Sequence, residues 1–98
     1  MTAEERAKEL AEKLADAKAI DVKTYDVRGM SGFTDFFVVA TGAAAPHLKA
    51  LVRTMPKAYR VSGDPESGWI VADYIDVVVH VFSAEARAYY ALEKLWEK

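Results

Sequence analysis

The apolar positions near the N-terminus recur at helical spacing. Ala7, Leu10, Ala11, Leu14 and Ala17 share one face, while Glu4–Lys8 and Glu9–Lys13 form favourable i, i+4 pairs on the solvated side. Thr2 opens this helix as an N-cap, and Glu5 completes a capping box. The period then shortens to two. "DVKTYDV", residues 21–27, alternates loosely and reads as a strand ending at Arg28-Gly29. "FTDFFVVATG", 33–42, is apolar on both faces, the pattern of a strand covered from both sides, and Gly42 stops it. Pro46 opens a short helix with Leu48, Leu51, Val52 and Met55 as its buried stripe, and Pro56 ends it. Ala45 in the cap position has no side-chain acceptor, so a frayed helix start is expected.

"AYRV", 58–61, reads as a brief strand and "SGDPESG", 62–68, as a loop. "WIVADYIDVVVHVF", 69–82, reads as two short strands around a tight turn. Ser83 then caps a last helix whose stripe is Ala88, Tyr89, Leu92, Leu95 and Trp96. This order predicts one α+β domain over residues 1–98, an α/β sandwich. It is built on a single mixed sheet of about five strands with flanking helices.

Composition narrows the class. Of 98 residues, 52% are apolar and 29% charged, a globular balance with room for a single core. No apolar run nears the roughly 20 residues that span a bilayer, so no membrane partner is expected. The charged, helix-patterned N-terminus is neither a signal nor a transit peptide, and there is no cysteine. A cytoplasmic protein without a disulfide framework or thiol chemistry is expected.

The net charge is −2, but it is segregated. From Phe36 to Gly63 the only charged side chains are Lys49, Arg53, Lys57 and Arg60. From Val61 to Ala86 they are Asp64, Glu66, Asp73, Asp76 and Glu85. An acidic segment suits a basic partner. The basic segment has only Tyr59 nearby for stacking. It predicts no sequence-specific nucleic-acid binding, at most a weak RNA contact within a larger assembly.

No catalytic constellation emerges. Two-metal phosphoryl transfer needs carboxylates converging on ions about 4 Å apart. "SGFTDFFV" supplies Asp35, but Phe37 occupies the position where a second strand carboxylate would stand. Nothing in the sequence places Asp73 or Asp76 near Asp35. His47 and His80 lack the spacing of metal ligands, and no Gly-rich phosphate loop or nucleophile elbow occurs. His80 on a valine-rich strand reads as a hydrogen-bonded structural residue. No catalytic residue, metal site or cofactor is assigned.

Two blocks carry a resemblance. "DVRGMSGFTDFFVVATG" and "GWIVADYIDVVVHVF", the latter followed by "EARAYYALEKLW", resemble the ribosomal silencing factor family, also called RsfS or Iojap-related. With the N-terminal helix, the resemblance spans nearly the whole chain. It implies a nucleotidyltransferase-like fold without the catalytic carboxylate pair. It further implies a non-enzymatic role: binding the large ribosomal subunit through universal large-subunit ribosomal protein number fourteen. Bound there, such a protein blocks joining of the small subunit and represses translation under nutrient limitation. A divergent metal-dependent nucleotidyltransferase-like enzyme is the alternative, resting on fold alone.

On that resemblance the acidic, aromatic hairpin is the expected partner surface. Trp69 is an anchor or a core residue, and it shares a strand face with Val71 and Asp73. Asp73 and Asp76 would meet Lys or Arg of the partner, Tyr74 would add contact area at the turn, and Tyr89 and Tyr90 would flank it. Apolar residues on the last helix and Ile75 make a second copy of the chain a further candidate partner. Three departures stand out. Ile75 occupies a position where the family has Gly, "AAAP" replaces polar residues after the first Gly, and the segment from 47 to 59 is shortened. A β-branched residue is strained if the turn needs positive φ.

Overall fold

The computed structural model of the chain describes residues 1–30, 32 and 34–95; Trp96, expected on the last helical stripe, lies outside them. Helix α1 covers Ala3–Asp16, strands β1 and β2 Ile20–Asp26 and Phe36–Gly42, helix α2 Ala45–Thr54. Strands β3, β4 and β5 follow at Arg60–Asp64, Trp69–Asp73 and Val77–Ser83, then helix α3 at Ala84–Tyr90. The five strands form one mixed sheet in the order β1-β2-β5-β4-β3. Among the described residues only the central β2–β5 pair is parallel, so α2 with β3 and β4 supplies the long connection that a parallel pair needs.

The expected α+β sandwich is therefore the observed one. Thr2 Oγ1 accepts from the Glu5 N–H at 3.1 Å and Glu5 returns the bond to the Thr2 N–H at 2.9 Å, so the predicted capping box closes. α1 and α2 lie on one sheet face, where Leu10, Leu14, Leu48, Leu51, Val38, Val79 and Val81 are fully buried. The small Ala7 is also in this core and lets α1 approach the strands closely. On the other face α3 covers only part of the sheet, burying Val39, Phe82 and Ala86. All seven residues of β2 are buried, as its apolar run predicts.

Three local expectations need correction. First, α2 begins at Ala45 with Ala44 at the cap, and no side chain caps it. Its first turn is instead tied by His47: Nδ1 accepts from the Ala43 N–H at 2.9 Å, and Nε2 lies 3.0 Å from the Ala17 carbonyl at the end of α1. Second, "SGDPESG" is not all loop. β3 continues to Asp64, and one turn of 3₁₀ helix, Pro65–Ser67, carries the chain round to β4. Cross-strand pairing with β4 outweighs the local turn preference there.

Third, α3 stops at Tyr90. Ala91 takes a left-handed φ of 48°, and Leu92–Leu95 forms a separate 3₁₀ turn, leaving Ala88 and Leu95 exposed. The cause is a polar cluster that a continuous helix would pull apart. Arg87 donates from Nε and Nη2 to both oxygens of Glu93, at 2.7 and 2.9 Å. Its Nη1 donates to the Asp21 carbonyl and to Thr41 Oγ1, while the Tyr25 hydroxyl donates to Glu93. In a continuous α-helix residues six apart stand about 120° round the axis and about 9 Å along it, so this bidentate pair requires the break.

Candidate partner-binding surface

Trp69, Tyr89 and Tyr90 come together on the half-covered sheet face. The Trp69 ring lies 5.0 Å from Phe82 and 4.6 Å from Tyr90, and Tyr89 meets Tyr90 edge-on at 5.1 Å. Trp69 is half-buried, whereas Tyr90 is 47% and Tyr89 82% exposed. Trp69 is thus both core and surface: one side of its ring seals Phe82, and its edge faces a cleft. That cleft, about 320 Å³, is lined by Ser62, Asp64, Ser67, Trp69, Val71 and Tyr90. A second of about 380 Å³ adjoins it across Ser67 and Tyr90, between Ser83, Glu85 and Tyr89.

The backbone beneath explains why α3 reaches this place. Ser83 caps α3, its Oγ accepting from the Ala86 N–H at 3.1 Å, and its own N–H donates to the Gly68 carbonyl at 2.9 Å. Gly68 has φ 83°, and a Cβ there would stand 2.5 Å from Ser83 Oγ. Only glycine satisfies both the left-handed backbone and this close approach.

His80 lies under the same surface. Trp69 Nε1 donates to His80 Nδ1 at 3.1 Å, which fixes the indole and assigns the imidazole proton to Nε2. Nε2 is buried without a hydrogen-bond partner, and burial lowers the His80 pKa to about 4. The neutral ring sits among Phe37, Phe82 and Trp69. This is the structural role expected from its strand position.

The charged rim differs from expectation. Asp64 and Glu85 line the clefts beside the aromatic surface, are exposed and, among the described residues, form no ion pair. Asp73 lies at the far end of β4, about 13 Å from Trp69 at roughly 3.3 Å per residue. It sits opposite Arg60 in the ladder, and its Oδ1 accepts from the Ile75 N–H at 2.7 Å. Asp76 already holds a cation: Arg6 Nε is 3.1 Å from Oδ1, but its N–H points to Oδ2 at 3.4 Å, so Oδ1 has no hydrogen bond. Tyr74 packs on the main core, and its hydroxyl donates to the Pro56 carbonyl at 2.5 Å. Of the six residues assigned from sequence, Trp69, Tyr89 and Tyr90 converge, while Asp73, Tyr74 and Asp76 stand together at the other end of the hairpin. Asp64 and Glu85 were missed. The signal for Asp64 was available only through the β3–β4 register, which sets it opposite Trp69.

The hairpin turn keeps the geometry a glycine would favour. Ile75 has φ 77°, with the Asp76 N–H donating to the Tyr74 carbonyl across it at 2.9 Å and the Tyr74 N–H donating to Val77 at 2.8 Å. That is a three-residue γ-turn with a β-branched residue at its strained centre. The turn also brings Asp35 near Asp76, which sequence alone did not foresee: the Asp35 N–H donates to the Asp76 carbonyl at 3.1 Å. Phe37, where a second strand carboxylate would stand, is buried, and among the described residues no three His, Asp or Glu side chains gather.

Comparison with known proteins agrees with this architecture. The sequence model of the family described as "Ribosomal silencing factor during starvation" matches residues 1–98. The chain is 37% identical to the ribosomal silencing factor RsfS of Treponema pallidum, over 99% of this chain and 95% of that protein. That alignment runs over 105 positions, so it opens gaps in this chain. It is 36% identical to the RsfS of Halalkalibacterium halodurans, over 83% of this chain and 76% of that one. A crystal structure of a Chromobacterium violaceum protein superposes with a TM-score of 0.90 at 31% identity, covering 100% of this chain and 90% of that one.

Proposed function

Because this chain belongs to the ribosomal silencing factor family, we propose that it binds the large ribosomal subunit and keeps the small subunit from joining. The docking partner in this reading is universal large-subunit ribosomal protein number fourteen, and the effect is repression of translation when nutrients are short. The protein acts by occupancy, as one domain over residues 1–98 in the cytoplasm, with no reaction or cofactor. Relatives include a mouse protein named for mitochondrial assembly of the ribosomal large subunit, 30% identical over 89% of this chain, which supports the same subunit as partner. Among the described residues no helix is long and apolar enough to cross a membrane.

The observation that carries the reading is the Trp69–Tyr90–Tyr89 surface rimmed by Asp64 and Glu85. Tryptophan and tyrosine dominate interface hot spots, and unpaired acids steer and orient a basic partner. The carboxylates of Asp73 and Asp76 stand at the far end of β4, where Asp76 shapes the hairpin through Arg6.

Co-sedimentation with purified large subunits tests the proposal. The protein should pellet with the subunit, and Tyr89→Ala with Glu85→Lys should abolish this while thermal stability is kept. Asp73→Lys should retain most of the binding. Failure of the folded protein to sediment would sink the proposal. Loss with Asp73→Lys but not with the Tyr89 and Glu85 changes would move the interface to the turn.

A further inference from the structure

A second surface lies where the end of α2 meets the start of β3, at the end of the β3–β4 pair away from Trp69. Arg53, Lys57 and Arg60 line a cleft of about 520 Å³ between the end of α2 and β3, with Tyr59 and Tyr74 in its walls. Lys49 precedes Arg53 by one helical turn and is exposed. Arg53 suits the C-terminal end of the helix dipole, but like charges at i, i+4 repel, so Lys49 and Arg53 together are not a helix-stabilising pair. Among the described residues these four cations make no ion pair, and the chain has no Asp or Glu from Phe36 to Gly63. Asp73 lies across the ladder from Arg60 without pairing with it.

Two carbonyls that would repel an anion at the end of α2 are already occupied. The Thr54 hydroxyl donates to the Leu51 carbonyl at 2.7 Å, and the Tyr74 hydroxyl to that of Pro56. Tyr59 is 69% exposed, with the Arg60 guanidinium 5.9 Å from its ring centre. Unpaired cations around an open aromatic face match a polymer that alternates phosphates with flat bases.

We propose that this cleft binds single-stranded RNA, with Arg53, Lys57 and Arg60 on successive phosphates and Tyr59 stacked on a base. An acidic peptide would satisfy the cations but leave the tyrosine without a stacking partner. The choice of RNA rests on the ribosomal reading above. The cleft shares no lining residue with the Trp69 surface and lies at the other end of the β3–β4 pair.

The test is fluorescence anisotropy of the full chain with a labelled single-stranded RNA of roughly twelve nucleotides. About three phosphate contacts predict affinity roughly 20-fold weaker at about 200 mM than at about 50 mM salt. Arg53→Glu with Lys57→Glu should weaken binding at least about tenfold and flatten that dependence. Tyr59→Ala should weaken it about fivefold or more with the salt slope unchanged, and Tyr89→Ala should leave it intact. Equal binding by the charge-reversed variant, absence of salt-dependent binding, or displacement of RNA by polyglutamate at equal charge would overturn the inference. Subunit co-sedimentation uses no oligonucleotide, so failure of the ribosomal reading shows there, apart from any failure of the cleft.

Discussion

The turn at Ile75 allows a prediction of sign as well as size. At φ 77° an L residue is strained by about 1–2 kcal/mol, and a β-branched one by no less. Replacing Ile75 directly by Gly mixes relief of strain with loss of the part of the side chain that packs, since Ile75 is 60% exposed. Comparing Ile75→Ala with Ile75→Gly removes that ambiguity, because neither keeps the isoleucine contacts. In ordinary helix or strand backbone, Ala is more stable than Gly by about 0.5–1 kcal/mol. Here the left-handed strain of Ala, about 1–2 kcal/mol, exceeds that advantage, so Gly should be the more stable by about 0.5–1 kcal/mol. For a domain of this size the midpoint of thermal unfolding should be about 3–6 °C higher for Gly than for Ala. Urea unfolding checks the same difference, provided the two m-values agree. The turn bonds, from the residue-75 N–H to Asp73 Oδ1 and from the Asp76 N–H to the Tyr74 carbonyl, are unchanged in both variants. An Ala variant as stable as the Gly variant, or more so, would show that the chain avoids positive φ at this position, and the argument would fail.

Three further outcomes are expected. His80 has its folded pKa lowered to about 4 from 6.5, so the unfolded chain binds the extra proton first. Its contribution is complete above pH 6.5 and declines as pH falls toward 4, by at most about 3 kcal/mol; urea unfolding of His80→Phe should show a flatter profile across that window. Glu93→Gln should cost about 1–2 kcal/mol, because it removes the charge-assisted pair to an Arg87 side chain only 11% exposed while the Asp21 and Thr41 contacts remain. Arg87 holds the Glu93 carboxyl below its usual range, so in the wild type the stability from this pair is present above the unfolded-state value and lost as pH falls through the folded one. Gly68→Ala should cost about 2 kcal/mol through backbone strain and the clash with Ser83, and should also weaken subunit binding by shifting α3.

Much of this protein was legible from residue order because its determinants are local. Helical and strand periods, the Thr2–Glu5 box, Pro46 and Pro56 around α2, and the Ser83 cap each act within a few residues. The missing carboxylate at Phe37 and the two motif blocks are likewise properties of linear order, and they sufficed for the fold class and the family. The end of α3 was not local. It depends on Arg87, Glu93, Tyr25 and Thr41, which meet only when β1, β2 and the C-terminal segment are assembled.

The candidate surface divides in the same way. The sequence by itself determined which residues could serve a binding role: a tryptophan, several tyrosines and a run of acids without bases. Tertiary structure alone decided which of them lie together. Strand register sets Asp64 rather than Asp73 beside Trp69, Arg6 of α1 takes up Asp76, and Pro56 takes up Tyr74. Each of these depends on a pairing between segments distant along the chain. A carboxylate's availability to a partner is set by the cations that folding brings near it, and linear order does not fix those distances.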